Sequence, residues 1–107
     1  MDIGISIFPT DYSIDVAIFA EKVEQYGYES LWVPEHSIIP VEVATPWVGS
    51  TDGVIPKHYA DIVDPFVALA RASATTKTLK LGTGICLVPE RNPLLLAKEV
   101  ATLDYYS

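Results

Sequence analysis

The sequence predicts an α/β fold built on parallel strands. Three short apolar segments, at 3–8, 30–33 and 79–85, alternate with segments of helical periodicity. Two of the helices have marked starts, Asp64-Pro65 and Asn92-Pro93. Strands that alternate with helices are joined by right-handed crossovers, which makes the strands parallel. The predicted order is strand, helix, strand, irregular insertion, helix, strand, helix.

The first strand and helix occupy residues 3–26. Residues 3–8 set isoleucines against glycine and serine with little polarity on either face, as in a strand covered on both sides. After Pro9 the spacing becomes helical, and one face carries five apolar side chains: Val16, Phe19, Ala20, Val23 and Tyr26. Gly27 follows where a left-handed residue ends a helix.

The second strand ends at Pro34, and residues 37–63 after it show no clear period. Long irregular connections inside compact domains are usually functional or disordered. Trp47 and Tyr59 give this insertion enough apolar surface to fold back over part of the protein. We expect His58, which lies within it, to be at the surface.

The remaining elements follow from capping signals. Asp64 and Asn92 are N-caps with proline at the first helical position. The first of these helices is predicted to bury Phe66, Leu69, Ala70 and Ser73. The second carries Leu95, Leu96, Val100 and Leu103 on one side, with Glu99 as an unexpected acid among them. No cap is seen at Ser107, and three strands leave two open edges, so we expect the sheet to continue in residues outside this chain.

Composition favours a soluble cytoplasmic protein. Half of the 107 residues are apolar and the net charge is -7, which allows one buried core and argues against a nucleic-acid partner. The single cysteine excludes an internal disulfide and fits a reducing compartment. Neither a signal peptide nor a membrane-spanning run is predicted, and no metal-ligand spacing is present.

The carboxyl ends of parallel strands usually carry the functional groups of such folds. Glu35 and His36 follow the second strand, and an imidazole beside a carboxylate could donate or accept a proton. A surface pair, or a histidine merely hydrogen-bonded in its loop, also fits these two residues.

The end of the third strand is the other candidate. Gly82 and Gly84 flank Thr83, and we interpret the glycines as tight packing against a neighbouring helix. Cys86 is interpreted as a small buried apolar side chain. Arg91 and Asn92 could meet an anion, although an N-cap role explains Asn92 more simply.

Three segments resemble the N-terminal part of the bacterial luciferase-like monooxygenase superfamily, especially its branch that uses the deazaflavin coenzyme F420. They read GYESLWVPEHSIIP at 27–40, DPFVALARASATTKTLKLGTGICLVPERNP at 64–93 and LLLAKEVATLDYYS at 94–107. The resemblance implies a TIM (β/α)8 barrel. Residues 1–107 would be its N-terminal part, supplying the first three βα units with an irregular insertion after strand 2.

The resemblance also implies a site and a reaction. His36, with Glu35 beside it, would face the reacting edge of a flavin ring. Thr83, Gly84 and Ile85 would form a bulge that backs the ring, with a cis peptide bond between Gly84 and Ile85. The implied cofactor is F420, with FMN as the alternative, and the implied reaction is hydride transfer or oxygen insertion on a small-molecule substrate. We expect a homo-oligomer at full length.

Two alternatives stay open. A relative of the same fold could bind flavin without turnover. An isolated 107-residue product could also lack function, because three βα units cannot close a barrel.

Overall fold

The computed structural model describes residues 2–107 and confirms the predicted order of elements. The strands are β1 (Gly4–Ser6), β2 (Ser30–Val33) and β3 (Lys80–Thr83). The helices are α1 (Val16–Gln25), α2 (Lys57–Asp61), α3 (Pro65–Ser73) and α4 (Pro93–Tyr106), and one 3-10 turn covers Val88–Glu90. α2 lies inside the insertion, where the sequence predicts no helix.

The three strands are parallel and lie in the order β1-β2-β3, so β2 is central. Leu31 of β2 pairs with Ile5 of β1 and with Leu81 of β3. Helices α1 and α3 pack against each other and cover one face of the sheet, where Leu31 and Val33 have no solvent exposure. The fold is therefore α/β, with three parallel strands in an open sheet that matches part of a TIM-like barrel.

Small side chains let α1 and α3 approach closely. Ala20 of α1 and Ala72 of α3 are fully buried, and the Thr75 hydroxyl donates to the Ala17 carbonyl at 3.0 Å. The predicted inner faces are wrong in two details. Tyr26 is 79% exposed, because it is the C-cap and lies beyond the last packed turn of α1. In α3 the face that packs against α1 buries Ala68 and Ala72 in place of Ala70, which is exposed.

The predicted caps are confirmed. Gly27 has a φ of 79°, its N–H donates to the Glu24 carbonyl, and the N–H of Tyr28 donates to the Val23 carbonyl, which is the paired pattern of a glycine-terminated helix. The Asp64 side chain accepts from the N–H of Val67 at 3.0 Å. The Asn92 side chain accepts from the first turn of α4 at 3.0 and 3.2 Å.

Helix α4 begins as predicted but buries none of its residues. Leu94 and Leu95 are 81% and 64% exposed, while Leu96 and Leu103 are half-buried. The reason is its place in the fold: α4 packs against α3, past the edge strand β3. Its apolar side therefore remains open in the described part of the chain.

The face of the sheet opposite the helices carries the indole of Trp32. This side chain is 43% exposed, and its Nε1–H donates to the Ser30 hydroxyl at 3.0 Å. A methyl group at Gly82 would lie 2.7 Å from the indole ring, and one at Gly4 would lie 2.8 Å from its nitrogen. The interpretation of Gly82 as packing against a helix is therefore wrong, because what lies against it is the tryptophan of the neighbouring strand.

We predict that Gly82→Ala destabilises the protein by about 1–3 kcal/mol, because the added methyl group overpacks against the indole. Chemical denaturation of both proteins measures this cost. In a Trp32→Leu background the ring is gone, so the same substitution should cost clearly less. An equal cost in both backgrounds would show that the indole is not the obstacle.

A second prediction concerns Glu24, at the opposite end of the strands from Glu35. Its carboxylate accepts the backbone N–H groups of Thr78, Lys77 and Leu79 at 2.6, 2.8 and 3.0 Å. These hydrogen bonds, the one from Thr78 first, lower the pKa of Glu24 from 4.5 to about 2. A lowered folded-state pKa means that the stabilisation is complete above pH 4.5 and disappears as the pH falls towards 2.

We therefore expect Glu24→Gln to lower the midpoint of thermal unfolding at pH 6, with the difference from the parent protein shrinking between pH 4.5 and 2. Glu21→Gln, on the exposed side of the same helix, is the control and should change little. A Glu24→Gln difference that stays constant over this pH range would contradict the assignment.

Candidate functional site

The ends of β2 and β3 lie side by side. The N–H of Gly84 donates to the Val33 carbonyl at 2.8 Å, which extends the strand pairing one residue beyond β3. The segment 34–36 therefore runs beside the segment 84–86. The peptide bond between Gly84 and Ile85 is cis, as the resemblance implies. Thr83 is half-buried, and Ile85 is 64% exposed.

Glu35 is a buried carboxylate with a complete set of partners. The residue is 3% exposed. Its Oε2 accepts the backbone N–H of Leu87 at 2.6 Å, and its Oε1 accepts from Nε of Arg91 at 2.7 Å and pairs with Nη2 of Arg91. Burial raises the pKa of Glu35, but the hydrogen bonds from Arg91 and Leu87 outweigh burial and hold the pKa below its usual value. Glu35 is therefore ionised at neutral pH.

Arg91 joins three carboxylates. Besides Glu35, its Nη2 contacts Asp64 Oδ2 at 2.7 Å and its Nη1 contacts Glu99 Oε2 at 3.2 Å. The guanidinium carbon lies 4.8 Å from the centre of the Phe66 ring. The anions that Arg91 meets are thus the protein's own side chains, and the unexpected acid on α4 is one of them.

His36 lies at the end of β2 on the side of the insertion. Its ring centre is 5.1 Å from that of Tyr59 in α2, edge to face. Tyr59 also contacts Phe8 at 5.2 Å and Trp47 at 5.0 Å, between ring centres. The insertion therefore folds back over the strand ends, as its apolar content predicts.

The prediction that His58 lies at the surface is wrong. It is half-buried, and its ring meets that of Phe8 edge to face with centres 4.9 Å apart. No sequence signal pointed to this contact, because it depends on the unpredicted helix α2. The cluster formed by Phe8, His36, Trp47, His58 and Tyr59 is called the aromatic cluster below.

Cys86, interpreted from the sequence as a small buried apolar side chain, is less buried than expected. It is half-buried, and burial followed by the nearby charge of Glu35 raises the pKa of its thiol. Among the described residues, no group of three or more His, Cys, Asp or Glu side chains is arranged to hold a metal ion. Within residues 2–107, no helix has the length and apolar character that crossing a membrane requires.

A family model described as luciferase-like monooxygenase matches residues 11–107 of this chain. The chain belongs to the luciferase-like monooxygenase family. The family includes oxidoreductases and monooxygenases, and the match spans β2, β3 and the segments 34–36 and 83–91.

Three relatives illustrate the range of this luciferase-like family. An uncharacterised protein of Mycobacterium tuberculosis is 39% identical over 110 residues, covering all of this chain and 38% of the relative. The 4-hydroxyprotoasukamycin monooxygenase of Streptomyces nodosus subsp. asukaensis is 30% identical over 86 residues, 80% of this chain and 18% of the relative. The 5,10-methylenetetrahydromethanopterin reductase of Methanolobus tindarius is 24% identical over 107 residues, all of this chain and 26% of the relative. The chain thus spans at most 38% of the length of these relatives.

Three cavities lie near these residues. One of about 200 Å³ is lined by Glu35 and His36 and by Ile62 and Val63. A larger groove of about 730 Å³ runs between α3 and α4, on the helix side of the sheet. A third cavity, of about 360 Å³, is lined by Thr83 and Cys86 after β3 and by side chains of α3 and α4. The first and the third of these cavities border the candidate site.

We predict that Glu35→Gln destabilises the luciferase-like protein by about 1–3 kcal/mol, because the amide N–H₂ must face either Arg91 or the N–H of Leu87, donor against donor. Denaturant unfolding measures the change. Glu99→Gln removes an exposed partner of the same arginine and should cost about 0–1 kcal/mol. Equal losses of unfolding free energy in the two variants would contradict the inference that the buried Glu35 contributes more to stability than the exposed Glu99.

Proposed function

We propose that the full-length protein is a cofactor-dependent oxidoreductase that acts on a small organic molecule, and that residues 1–107 are the N-terminal part of its barrel domain. The cofactor is F420, with FMN as the alternative. The observation that carries this proposal is that the segment bearing His36 runs beside the Thr83–Ile85 segment at the carboxyl ends of adjacent strands, in a chain of this family.

The residues present fit a flat ring system. Gly84 has no side chain. Even an added methyl group would meet its nearest neighbour, Trp32, only at 3.8 Å, so there is open space beside this residue and a ring can approach the backbone of 83–85 closely. Ile85 offers exposed apolar surface on the same segment. When bound, the cofactor supplies the redox chemistry, hydride transfer for F420 or oxygen activation for reduced FMN.

His36 is the group proposed to hold or move the substrate proton. An imidazole changes its charge near neutral pH, so one of its ring nitrogens can accept a proton and return it. Glu35, by contrast, is ionised and saturated with hydrogen bonds, so its proposed contribution is to hold the loop in place. The aromatic cluster packs against His36 and limits the orientations of its ring.

Cofactor titration of the full-length protein tests the proposal. Fluorescence changes on adding F420 and, separately, FMN would give the two dissociation constants, and steady-state assays would follow turnover. Saturable binding of one cofactor with turnover is the expected result. Binding without turnover would favour the non-catalytic relative, and binding of neither cofactor would overturn the proposal.

We predict that His36→Asn lowers kcat by about 10²–10⁴-fold, because the proton must then pass to or from water. The dissociation constant of the cofactor should change little. His58→Asn alters the other histidine of the chain within the same aromatic cluster, and should keep most of the activity. An unchanged kcat in His36→Asn would remove the assignment.

A further inference from the structure

We propose that Arg91 is a positioning residue of this site: acting through Glu35, it holds the His36-bearing end of β2 against the segment that follows β3. The proposal rests on the proposed function, because the site being positioned is the proposed one. The side-chain hydrogen bonds and ion pairs of Arg91 go to Glu35, Asp64 and Glu99, and none of them goes to residues 83–85 or to His36 in the described part of the chain.

The bridging carboxylate is the first step of the argument. One oxygen of Glu35 accepts the backbone N–H of Leu87, three residues after Gly84, and the other is held by Arg91. Glu35 itself directly precedes His36 in the chain. A single buried carboxylate therefore joins the loop that carries the proposed proton-transfer group to the loop that carries the proposed ring-backing segment.

The second step is the anchoring of Arg91. Its side chain is 16% exposed and lies over Phe66 of α3. Asp64 is the N-cap of α3, and Glu99 lies about two turns into α4 beyond its N-cap Asn92, so two helices also hold the guanidinium. Planar, multidentate pairing restrains orientation in a way that a lysine ammonium cannot.

The third step is the electrostatic balance around Glu35. The charged or titratable groups that interact with Glu35 are Arg91 and Cys86, and Arg91 also pairs with Asp64 and Glu99. Without Arg91, the buried carboxylate keeps the N–H of Leu87 but loses its cationic partner. Burial then favours its protonated form. The site would then gain a titrating group at Glu35.

A comparison within the chain shows what is special about Arg91. Arg71 also holds a carboxylate through two nitrogens, with Nε and Nη2 at 3.0 and 2.5 Å from Asp15 Oδ2. Its side chain is 60% exposed, and the pair ties α1 to α3 on the helix side of the sheet. Arg71→Met therefore removes an arginine–carboxylate pair of the same chemistry without touching the strand ends.

The experiment compares Arg91→Met, Arg91→Lys and the control Arg71→Met in the full-length protein. Hydrogen exchange of peptides covering 34–37 and 84–88 reports the position of the two loops without any cofactor. We expect Arg91→Met to speed exchange there by about tenfold, since hydrogen bonds that involve a charged group are lost. Arg91→Lys should show a partial effect, and Arg71→Met should leave both segments unchanged.

Kinetics separate positioning from stability. At a temperature where all variants are folded, we expect Arg91→Met to lower kcat by about 10- to 100-fold, as misplaced groups do, with KM changed much less. Its pH–rate profile should gain a second ionisation that Arg71→Met lacks. If Arg91→Met does not fold, Asp64→Asn with Glu99→Gln loosens the same guanidinium and should give smaller changes in the same direction.

The outcomes are distinct. Exchange at 34–37 and 84–88 that matches Arg71→Met, together with unchanged kinetics, would overturn the proposal even if Arg91→Met lowers the melting temperature. If the unsubstituted protein binds neither F420 nor FMN, the proposed function fails, and hydrogen exchange still decides whether Arg91 holds the two loops together.

Discussion

The buried carboxylate of Glu35 is the constraint on which the functional end of this structure depends. An unpaired charge at 3% exposure would cost several kcal/mol, so its partners must be in place whenever the chain is folded. Those partners are a side chain and a backbone N–H that lie 56 and 52 residues away in the sequence. Folding therefore cannot satisfy Glu35 without also bringing together the two strand ends.

On the sheet face that is not covered by helices, the indole of Trp32 restricts which residues the neighbouring strands can carry. The Trp32 indole lies across the central strand and is held by the Ser30 hydroxyl, so the strand on each side must present a glycine to it. This gives a flat inner surface next to Gly84. The helix face follows a different rule, because Leu31 and Val33 there meet alanines that let two helices approach. Because successive side chains of β2 point to opposite faces, Leu31 and Val33 contribute to the core, whereas Trp32 lies on the face of the proposed ring site.

Sequence patterns predicted the features that local chemistry determines. The caps at Asp64 and Asn92 and the left-handed Gly27 need only neighbours within a turn, and all three were correct. The helix α2, the burial of His58 and the partner of Gly82 depend on contacts between distant segments, for which one sequence carries no direct signal. Glu99 belongs with them: the sequence showed only an unexpected acid on an apolar helix face, and its pairing with Arg91 comes from the structure.

The same limit applies to Glu35 and His36, which look like a catalytic pair when read as neighbours in sequence. In extended backbone, successive side chains point to opposite sides. Glu35 turns inward to Arg91, whereas His36 turns to Tyr59 under the insertion. The proposed function therefore gives the two residues different tasks: the carboxylate would fix the loop, and the imidazole would exchange a proton with the substrate. A direct carboxylate–imidazole dyad would require Glu35 to give up its hydrogen bonds from Arg91 and from the N–H of Leu87, and losing them around a buried carboxylate makes that rearrangement unfavourable.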